Sequence, residues 1–392
     1  MTDLVDLPRT EPLPPVAAAV VPRPATRARS TGWWLTWLFA GLGLWWVLGL
    51  IGFIQIIVGL PLLTWVAVTK RCSVPRGFWI WLGFVGWMLL TVTQVHEGER
   101  LLAFGWRAGL YLASTLLFLY VFNASREALP ASRVINALAA FFAVTVIGGF
   151  IGMVTPAFGF PSPLEILLPQ SITSNEFIQA LVHPSTTAER AFAGTSIHRP
   201  KAPFPYTNQW GASFAISLPF AIAALRGART RLVRQALLGV LMLSAVPLVV
   251  SLDRGAWLSV SVAMGYAVLR LAQGRRRKVA FAVAALVGLL VLLVAVSPLG
   301  DLVALRLDKG YGDGKRALLY ESSIDVVKAS PFLGEGTPVP LDDRPDSPSV
   351  GTHGQLWTLL VSHGIPGAAA FCAFIGWMFL TTARRRRLPP GR

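Results

Sequence analysis

The sequence predicts an all-α polytopic membrane protein, because its apolar segments are too long and too frequent for the core of a soluble domain. Hydrophobic residues make up 54% of the 392 residues, and charged residues only 14%. A helix needs about 20 apolar residues to cross about 30 Å of hydrocarbon. Backbone groups in lipid are satisfied only in helices or closed barrels. Continuous apolar segments of this length therefore predict transmembrane helices.

About ten transmembrane helices are predicted, the first two joined with almost no loop. The segments are residues 33–49, 51–69, 77–93, 102–122, 134–155, 209–225, 235–251, 255–270, 279–297 and 356–382. An even number of spans places both termini on one side of the membrane. The tails and loops on that side carry 23 Lys and Arg against 4 Asp and Glu, whereas the opposite loops carry 11 against 15. Since cytoplasmic loops are rich in Lys and Arg, both termini are predicted to be cytoplasmic.

The domain organisation follows from this topology. Residues 1–32 are rich in Pro, Ala, Val and Arg and predict a disordered cytoplasmic tail, and residues 384–392 predict a short basic one. Residues 33–383 are predicted to form a single transmembrane domain with two long outer loops, 156–208 and 298–355. The net charge of +16 arises in short cytoplasmic loops, so it predicts contact with membrane lipids and not with nucleic acid.

Two charged features near the fourth span leave alternatives open. His96-Glu97 resembles the start of a zinc-protease motif, but the second His four residues later is absent. Glu97 and Glu99 then form either a metal-binding carboxylate site, as in many polyprenyl-phosphate-sugar transferases, or part of a solvated loop. Arg107 lies one or two turns inside the span. It either extends to the outer surface beside Trp106 or has a functional role, since an intramembrane charge is costly.

Basic residues also mark two outer segments. In the loop 156–208, the run from His198 to Lys201, which includes Arg199, is placed to meet an anionic lipid headgroup, and ordinary interfacial contact is the alternative. The seventh and eighth spans meet in the tight turn Ser251–Trp257. Two helices would fix Arg254 there and point it at the outer headgroup layer. A pair with the neighbouring aspartate, or a simple interfacial cation, is the alternative.

The second outer loop contains a predicted helix between Lys315 and Ala329. Its apolar residues recur at helical spacing, and they are Ala317, Tyr320, Ile324 and Val327. This pattern indicates an amphipathic helix on the outer surface, ended by Pro331. Arg316 lies in its first turn, where a positive charge opposes the helix dipole and therefore needs another reason to be present.

The last apolar segment is too long for one straight span. Residues 355–382 would form a helix of about 42 Å, against about 30 Å of hydrocarbon. The sequence Gly364-Ile365-Pro366-Gly367 predicts a break. A short outer helix would then be followed by a span from about Pro366 to Ala383. His353 would lie at the N-terminus of the short helix and face the outer aqueous boundary.

Four stretches together resemble the bacterial O-antigen ligase and O-antigen polymerase superfamily. These are polytopic glycosyltransferases that use undecaprenyl-diphosphate-linked glycans on the outer face of the cytoplasmic membrane. Ser251–Trp257 is similar to the Ser-Arg-Gly-Ala turn of that family, and Lys315–Gly336 to its Arg helix followed by Pro-x-Leu-Gly-x-Gly. Thr352–Gly367 is similar to its last motif, and Phe204–Asn208 to its Asn-containing entry into a span.

The resemblance implies a glycosyltransferase of the inner membrane whose outer loops form the active-site face. It would transfer a glycan, with inversion, from an undecaprenyl-diphosphate-linked donor to a glycan or glycolipid acceptor. Arg254 and Arg316 are assigned to the leaving diphosphate, because the planar guanidinium donates to two phosphate oxygens. Lys201 and Arg199 are weaker candidates for the same role. His353 is assigned as the general base, because an imidazole takes up a proton near neutral pH.

Two arginines can do the work of a divalent metal at the diphosphate, so neither a metal nor another cofactor is expected.

The sequence departs from the family pattern at Asp253, Gly354 and His363, which bears on the acceptor more than on the donor. The residues do not separate a ligase from a polymerase. A peptidoglycan-polymerising relative and a lipid-linked glycan transporter are further alternatives. Transporters usually place ionisable groups near the bilayer midplane in paired halves, whereas only Arg107 lies within a span here.

Overall fold

The computed structural model describes residues 32–68, 72–192, 195–273, 313–341 and 349–384, with scattered positions between 277 and 304. The predicted N-terminal tail, the predicted basic C-terminal tail and most of the predicted ninth span lie outside the described residues. Helices dominate the described part, and the β structure there consists of two small hairpins.

The elements are numbered here in chain order. The helices are α1 (Trp33–Ala40), α2 (Leu42–Val47), α3 (Ile54–Val68), α4 (Phe78–Leu90), α5 (Gly98–Asn123), α6 (Ala131–Val154), α7 (Pro163–Leu167), α8 (Gln170–Thr173), α9 (Glu176–Val182), α10 (Thr207–Gly227), α11 (Arg231–Leu243), α12 (Ala245–Val250), α13 (Arg254–Ala272), α14 (Asp313–Ala329) and α15 (Gln355–Arg384). The strands are β1 (Thr187–Phe192), β2 (Thr195–Pro200), β3 (Val339–Pro340) and β4 (Ser349–Val350). β1 pairs antiparallel with β2, and β3 pairs antiparallel with β4.

The predicted class, an all-α polytopic membrane protein, is confirmed. Among the described residues, six helices are long and apolar enough to cross a membrane: Gly98–Asn123, Ala131–Val154, Thr207–Gly227, Arg231–Val250, Arg254–Ala272 and Gln355–Ala383. Two shorter apolar helices cover Ile54–Val68 and Phe78–Gln94. The first predicted span is divided into α1 and α2 at Gly41, where the Trp45 indole donates to the carbonyl groups of Trp37 and Leu38. The count of ten spans and the sidedness stay predictions.

The helices pack around two aromatic cores. In the first, α10 lies against α6, and the fully buried Trp210 donates its indole N–H to the Thr145 carbonyl at 2.8 Å. Small residues on α6 permit this approach, since a Cβ at Gly149 would lie only 2.9 Å from the Trp210 ring. In the second, α4 packs on α15, and the indole of Trp81 donates to the hydroxyl of Thr115 at 2.8 Å. Buried indoles therefore satisfy their polar groups within the bundle.

Most of the predicted outer loop 156–208 is folded into short helices and a hairpin and does not form an irregular connection. It contains α7, α8, α9 and the β1–β2 hairpin. Ser162 and Glu165 form a reciprocal capping box at the start of α7, and both carboxylate oxygens of Glu165 lie within 3.1 Å of His183 Nδ1. Phe177 of α9 packs edge-to-face on Trp106 of α5, with ring centroids 5.1 Å apart. This segment therefore rests on the first half of α5.

The segment after α14 reaches the same end of α5. Arg100 donates to the Glu335 carbonyl at 2.8 Å and to the Thr337 hydroxyl at 3.1 Å. We call the described residues of the two segments, 155–192 with 195–206 and 331–341 with 349–354, the loop face. Both contact the N-terminal part of α5, so they lie at one end of the helical bundle.

The predicted helix before the last span is confirmed as α14, but its buried side differs from the prediction. Leu319 and Ser323 are buried, whereas Ile324, one of the predicted apolar positions, is 43% exposed. Tyr320 stacks on Trp357 of α15 with ring centroids 5.1 Å apart. Contact with α15 therefore determines the orientation of α14, which periodicity alone could not show. The side chain of Arg316 lies outside the described residues.

The predicted break in the last segment is confirmed at Gly364, where φ is 66° and ψ is −173°. The turn Pro331–Gly336 supplies the hydrogen bonds that the broken helix lacks. The N–H groups of Glu335 and Gly336 donate to the carbonyls of Val361 and Ser362, and the N–H of Ile365 donates to the carbonyl of Pro331, each at 2.8 Å. Unpaired backbone groups are costly in a membrane, so this turn stabilises the break.

Replacing Gly364 with alanine should destabilise the protein. The backbone conformation at this position is one that essentially only glycine adopts, at a cost of about 1–3 kcal/mol for other residues. A Cβ there would also overlap the carbonyl of Phe332. We expect a lower thermal unfolding temperature in detergent. Gly376→Ala on the same helix is the control, because no atom lies within 4 Å of its added Cβ. Equal unfolding temperatures for the two variants would contradict this expectation.

Candidate active site

Arg254 is the first residue of α13, directly after a tight turn. Asp253 is the helix cap, because its carboxylate accepts from the Gly255 N–H at 3.0 Å. The turn packs against the start of α10, where a side chain at Gly211 would overlap the carboxylate of Asp253. Arg254 is half-buried there. The Asp253 cap and the packing of the turn on α10 thus hold the position of Arg254.

Arg199 joins this turn from the hairpin. It lies on β2, and its Nε donates to the carbonyl of Ser251 at 2.6 Å. Since Ser251 precedes Arg254 by three residues, the structure brings one of the weaker candidates next to one of the two main arginines. The charge-assisted bond fixes the hairpin to the α12–α13 turn.

Lys201 lies two residues after Arg199 but lines a separate pocket. Its side chain lines a pocket of about 300 Å³ on the loop face. The other residues that line this pocket are Glu176, Gln179, Ala180, His183 and Ser185. Burial lowers the pKa of the Lys201 ammonium group. Lys201 therefore contributes to a polar pocket between α9 and the hairpin.

His353 lies in the connection between β4 and α15 and is exposed. Its Nδ1 is 3.2 Å from the hydroxyl of Thr352, which itself donates to the carbonyl of Ser349 at 2.8 Å. The single hydroxyl proton is used in that bond, so Nδ1 is assigned as the N–H donor to Thr352. Nε2 is then the nitrogen with the lone pair. This tautomer suits an imidazole that takes a proton through Nε2.

The start of α15 is fixed on α5. Gln355 donates its amide N–H to the hydroxyl of Tyr111 at 2.7 Å, and the hydroxyl of Thr358 donates to the carbonyl of Gly351 at 2.6 Å. These two bonds flank His353 in the chain. The general-base candidate is thus attached to the same helix that contains Arg107.

Arg107 is half-buried, and its guanidinium lies against the loop face. Its Cζ lies 5.5 Å from the centre of the Phe177 ring. Its positive charge also acts on Tyr206 and His363. A functional role for Arg107 and its extension to the outer surface both stay predictions. Because Tyr206 lies far from Arg107 in the chain, no local pattern could have shown this cluster.

His363 is the second residue that sequence reasoning left without a role. It is 3% exposed, and its Nδ1 lies 2.9 Å from the hydroxyl of Thr91. Phe84 packs edge-to-face on the imidazole, with ring centroids 6.1 Å apart, and the Trp87 indole donates to the backbone carbonyl of His363. The imidazole of this α15 residue is therefore packed against the C-terminal part of α4 and Thr91.

The acidic loop before α5 is exposed. Glu97 occupies the N-cap position of α5 without a capping hydrogen bond from its side chain, and His96, Glu97 and Glu99 are all exposed. Within the described part of the chain, no group of three or more His, Cys, Asp and Glu side chains is placed to hold a metal ion.

The comparison with known protein families bears on the region that contains the assigned residues. Residues 211–372 match the family model described as O-antigen ligase. The predicted resemblance is confirmed. The O-antigen ligase-like region begins at Gly211, which packs against the Asp253 turn, and ends at residue 372, beyond the break at Gly364. No curated protein and no solved structure matches the chain.

The O-antigen ligase-like region contains Arg254, Arg316 and His353, whereas Arg199 and Lys201 precede it. Described contacts fix two separate parts of the candidate site. Arg199 bonds to the turn of Arg254, and Gln355, two residues after His353, bonds to Tyr111, one turn from Arg107. The convergence of the two arginines and the histidine on one pocket stays a prediction.

Proposed function

We propose that this protein is a membrane glycosyltransferase of the O-antigen ligase type. It transfers a glycan from an undecaprenyl-diphosphate-linked donor to a glycan or glycolipid acceptor. The observation that supports this most directly is the O-antigen ligase match over residues 211–372, which contains all three assigned residues. The charge asymmetry of the loops supports an extracytoplasmic loop face and cytoplasmic termini in the inner membrane.

The reaction is a direct displacement at the anomeric carbon. The acceptor hydroxyl attacks that carbon, the bond to the diphosphate oxygen breaks, and the configuration inverts. Arg254 and Arg316 hold the leaving diphosphate, and their hydrogen bonds strengthen as negative charge develops on it. Arg199 supports this role by fixing the turn of Arg254. The acceptor proton passes to Nε2 of His353, because Nδ1 donates to Thr352.

Transfer should be measured with purified protein in proteoliposomes. The substrates are a lipid-linked glycan isolated from the source cells and candidate acceptors, with products resolved by mass spectrometry. Transfer to a lipid core with release of undecaprenyl diphosphate indicates a ligase, and growth of the lipid-linked glycan indicates a polymerase. Movement of the lipid-linked glycan across the vesicle without any transfer product would instead establish the transporter alternative.

Removing divalent metals should leave the transfer rate unchanged. The reason is that two permanently charged guanidinium groups supply the positive charge at the diphosphate. The measurement is the initial rate in excess EDTA, with a known magnesium-dependent glycosyltransferase as the control that loses activity. A loss of activity that added Mg²⁺ restores would contradict this expectation and favour a metal site at Glu97 and Glu99.

A further inference from the structure

Arg107 is a permanent charge inside an apolar helix. It lies nine residues after Gly98, or about 13 Å along the 26-residue helix α5. A helix of this length is about 39 Å long, so its ends project beyond about 30 Å of hydrocarbon into the headgroup layers. Arg107 therefore lies within two turns of the membrane surface. A guanidinium does not lose its proton, so this charge needs compensation.

The protein itself supplies little of that compensation. One guanidinium nitrogen, Nη1, donates to the carbonyl of Ala103, one turn earlier in the same helix, at 3.2 Å. The face of Phe177 covers the group from one side. In the described part of the chain, no carboxylate lies within 4 Å of Arg107, and its other N–H groups have no hydrogen-bond partner. The planar fork is thus available to a ligand with acceptor oxygens.

Two tyrosine hydroxyl groups near Arg107 can also donate hydrogen bonds. The hydroxyl of Tyr111 accepts from Gln355, so its own proton is available for a further bond. Burial raises the pKa of Tyr206, with the Arg107 charge acting in the opposite direction, so this phenol keeps its proton at neutral pH. A cation with neighbouring O–H donors selects an anion with several acceptor oxygens, and a phosphate fits this description.

We propose that Arg107, Tyr111 and Tyr206 bind a phosphate oxyanion of the diphosphate in the lipid-linked donor. This rests on the proposed function, since it names a further contact of the same substrate. The Phe177 ring of α9 covers the guanidinium, in contrast to an arginine that contacts only bulk lipid headgroups. The Gln355–Tyr111 bond connects it to the segment that contains His353. A diphosphate here would lie beside the general base.

The test is binding of undecaprenyl diphosphate, without glycan, to purified full-length protein in phosphatidylcholine nanodiscs. Native mass spectrometry counts the bound lipid over a titration. Arg107→Gln should weaken binding about 10- to 100-fold, the effect of losing one charge-assisted hydrogen bond. Arg107→Lys should weaken binding less, because lysine keeps the positive charge but lacks the planar guanidinium group. Tyr206→Phe should also weaken binding.

Arg270→Gln is the matched control. Arg270 lies in the last turn of α13, with its Cζ 5.9 Å from the centre of the Tyr266 ring, so it is also an arginine stacked on an aromatic side chain in a span. Arg270→Gln should bind undecaprenyl diphosphate with the affinity of the parent protein. Without lipid, Arg107→Gln should unfold at the parent temperature or above, because it removes an uncompensated charge. With lipid, it should lose the stabilisation that the parent gains.

Each outcome distinguishes this inference from the proposed function. Undecaprenyl diphosphate binding by Arg107→Gln at the parent affinity overturns the inference, even when the parent protein transfers glycan. A parallel titration with phosphatidylglycerol identifies the source of the phosphate. If Arg107→Gln loses only phosphatidylglycerol, the assignment to the donor is wrong. If the parent binds undecaprenyl diphosphate through Arg107 but transfers nothing, the site stands and the transferase proposal fails.

Discussion

Replacing His353 with alanine should lower the rate of glycan transfer by about 10²- to 10⁴-fold, the usual contribution of a general base. The imidazole Nδ1 lies 3.2 Å from the hydroxyl of Thr352, so in the proposed mechanism Nε2 takes the acceptor proton. Alanine removes this acceptor and leaves the diphosphate contacts in place. Donor binding should therefore stay at the parent level while the single-turnover rate falls. Both quantities are measured on the purified variant with lipid-linked glycan.

The matched control is His96→Ala, which removes an exposed histidine from the connection before α5. Its transfer rate should equal that of the parent. Thermal unfolding of both variants establishes that the comparison concerns folded protein. If His353→Ala transfers glycan at the parent rate, the base is a different group, and the assignment of His353 is wrong.

Replacing Arg254 with alanine should lower transfer by about 10²-fold or more. Each charge-assisted hydrogen bond contributes about 1.5–3 kcal/mol, and a guanidinium can make two such bonds with a phosphate. Because the negative charge on the diphosphate grows as the glycosidic bond breaks, the loss should appear mainly in the rate of the chemical step. Arg254→Lys should retain part of the activity, since it keeps the charge but not the planar fork.

Arg270→Ala tests whether this loss is specific to the site. Arg254 and Arg270 lie in the first and last turns of the same helix, α13, so the control removes an equal charge from the opposite end. It should transfer glycan at the parent rate. A comparable loss in both variants, or parent activity in folded Arg254→Ala, would show that Arg254 does not hold the diphosphate.

Features that depend on local sequence could be predicted. Span length and composition identify the helices, because the thickness of the membrane fixes both. The break at Gly364 follows from an apolar segment longer than the membrane and from the glycine and proline within it. The helix of residues 313–329 follows from its spacing. The O-antigen ligase match covers the same three motifs that carry the assigned residues.

Features that depend on distant contacts could not be predicted. The buried side of α14 is set by Val350 and Val361, which form one core cluster with Leu319. The surroundings of Arg107 come from α9, the start of α10 and α15, and the Gln355–Tyr111 bond joins residues 244 positions apart. Periodicity describes only which residues share a face of one element. It does not identify the partner of that face, so the folded loop of residues 155–206 also escaped prediction.

The capped break in the last helix constrains how the protein is made. The carbonyls of Val361 and Ser362 receive their hydrogen bonds from Glu335 and Gly336, which the ribosome synthesises earlier. Lipid offers no substitute donors. The final helix and the turn are therefore expected to reach their folded positions together.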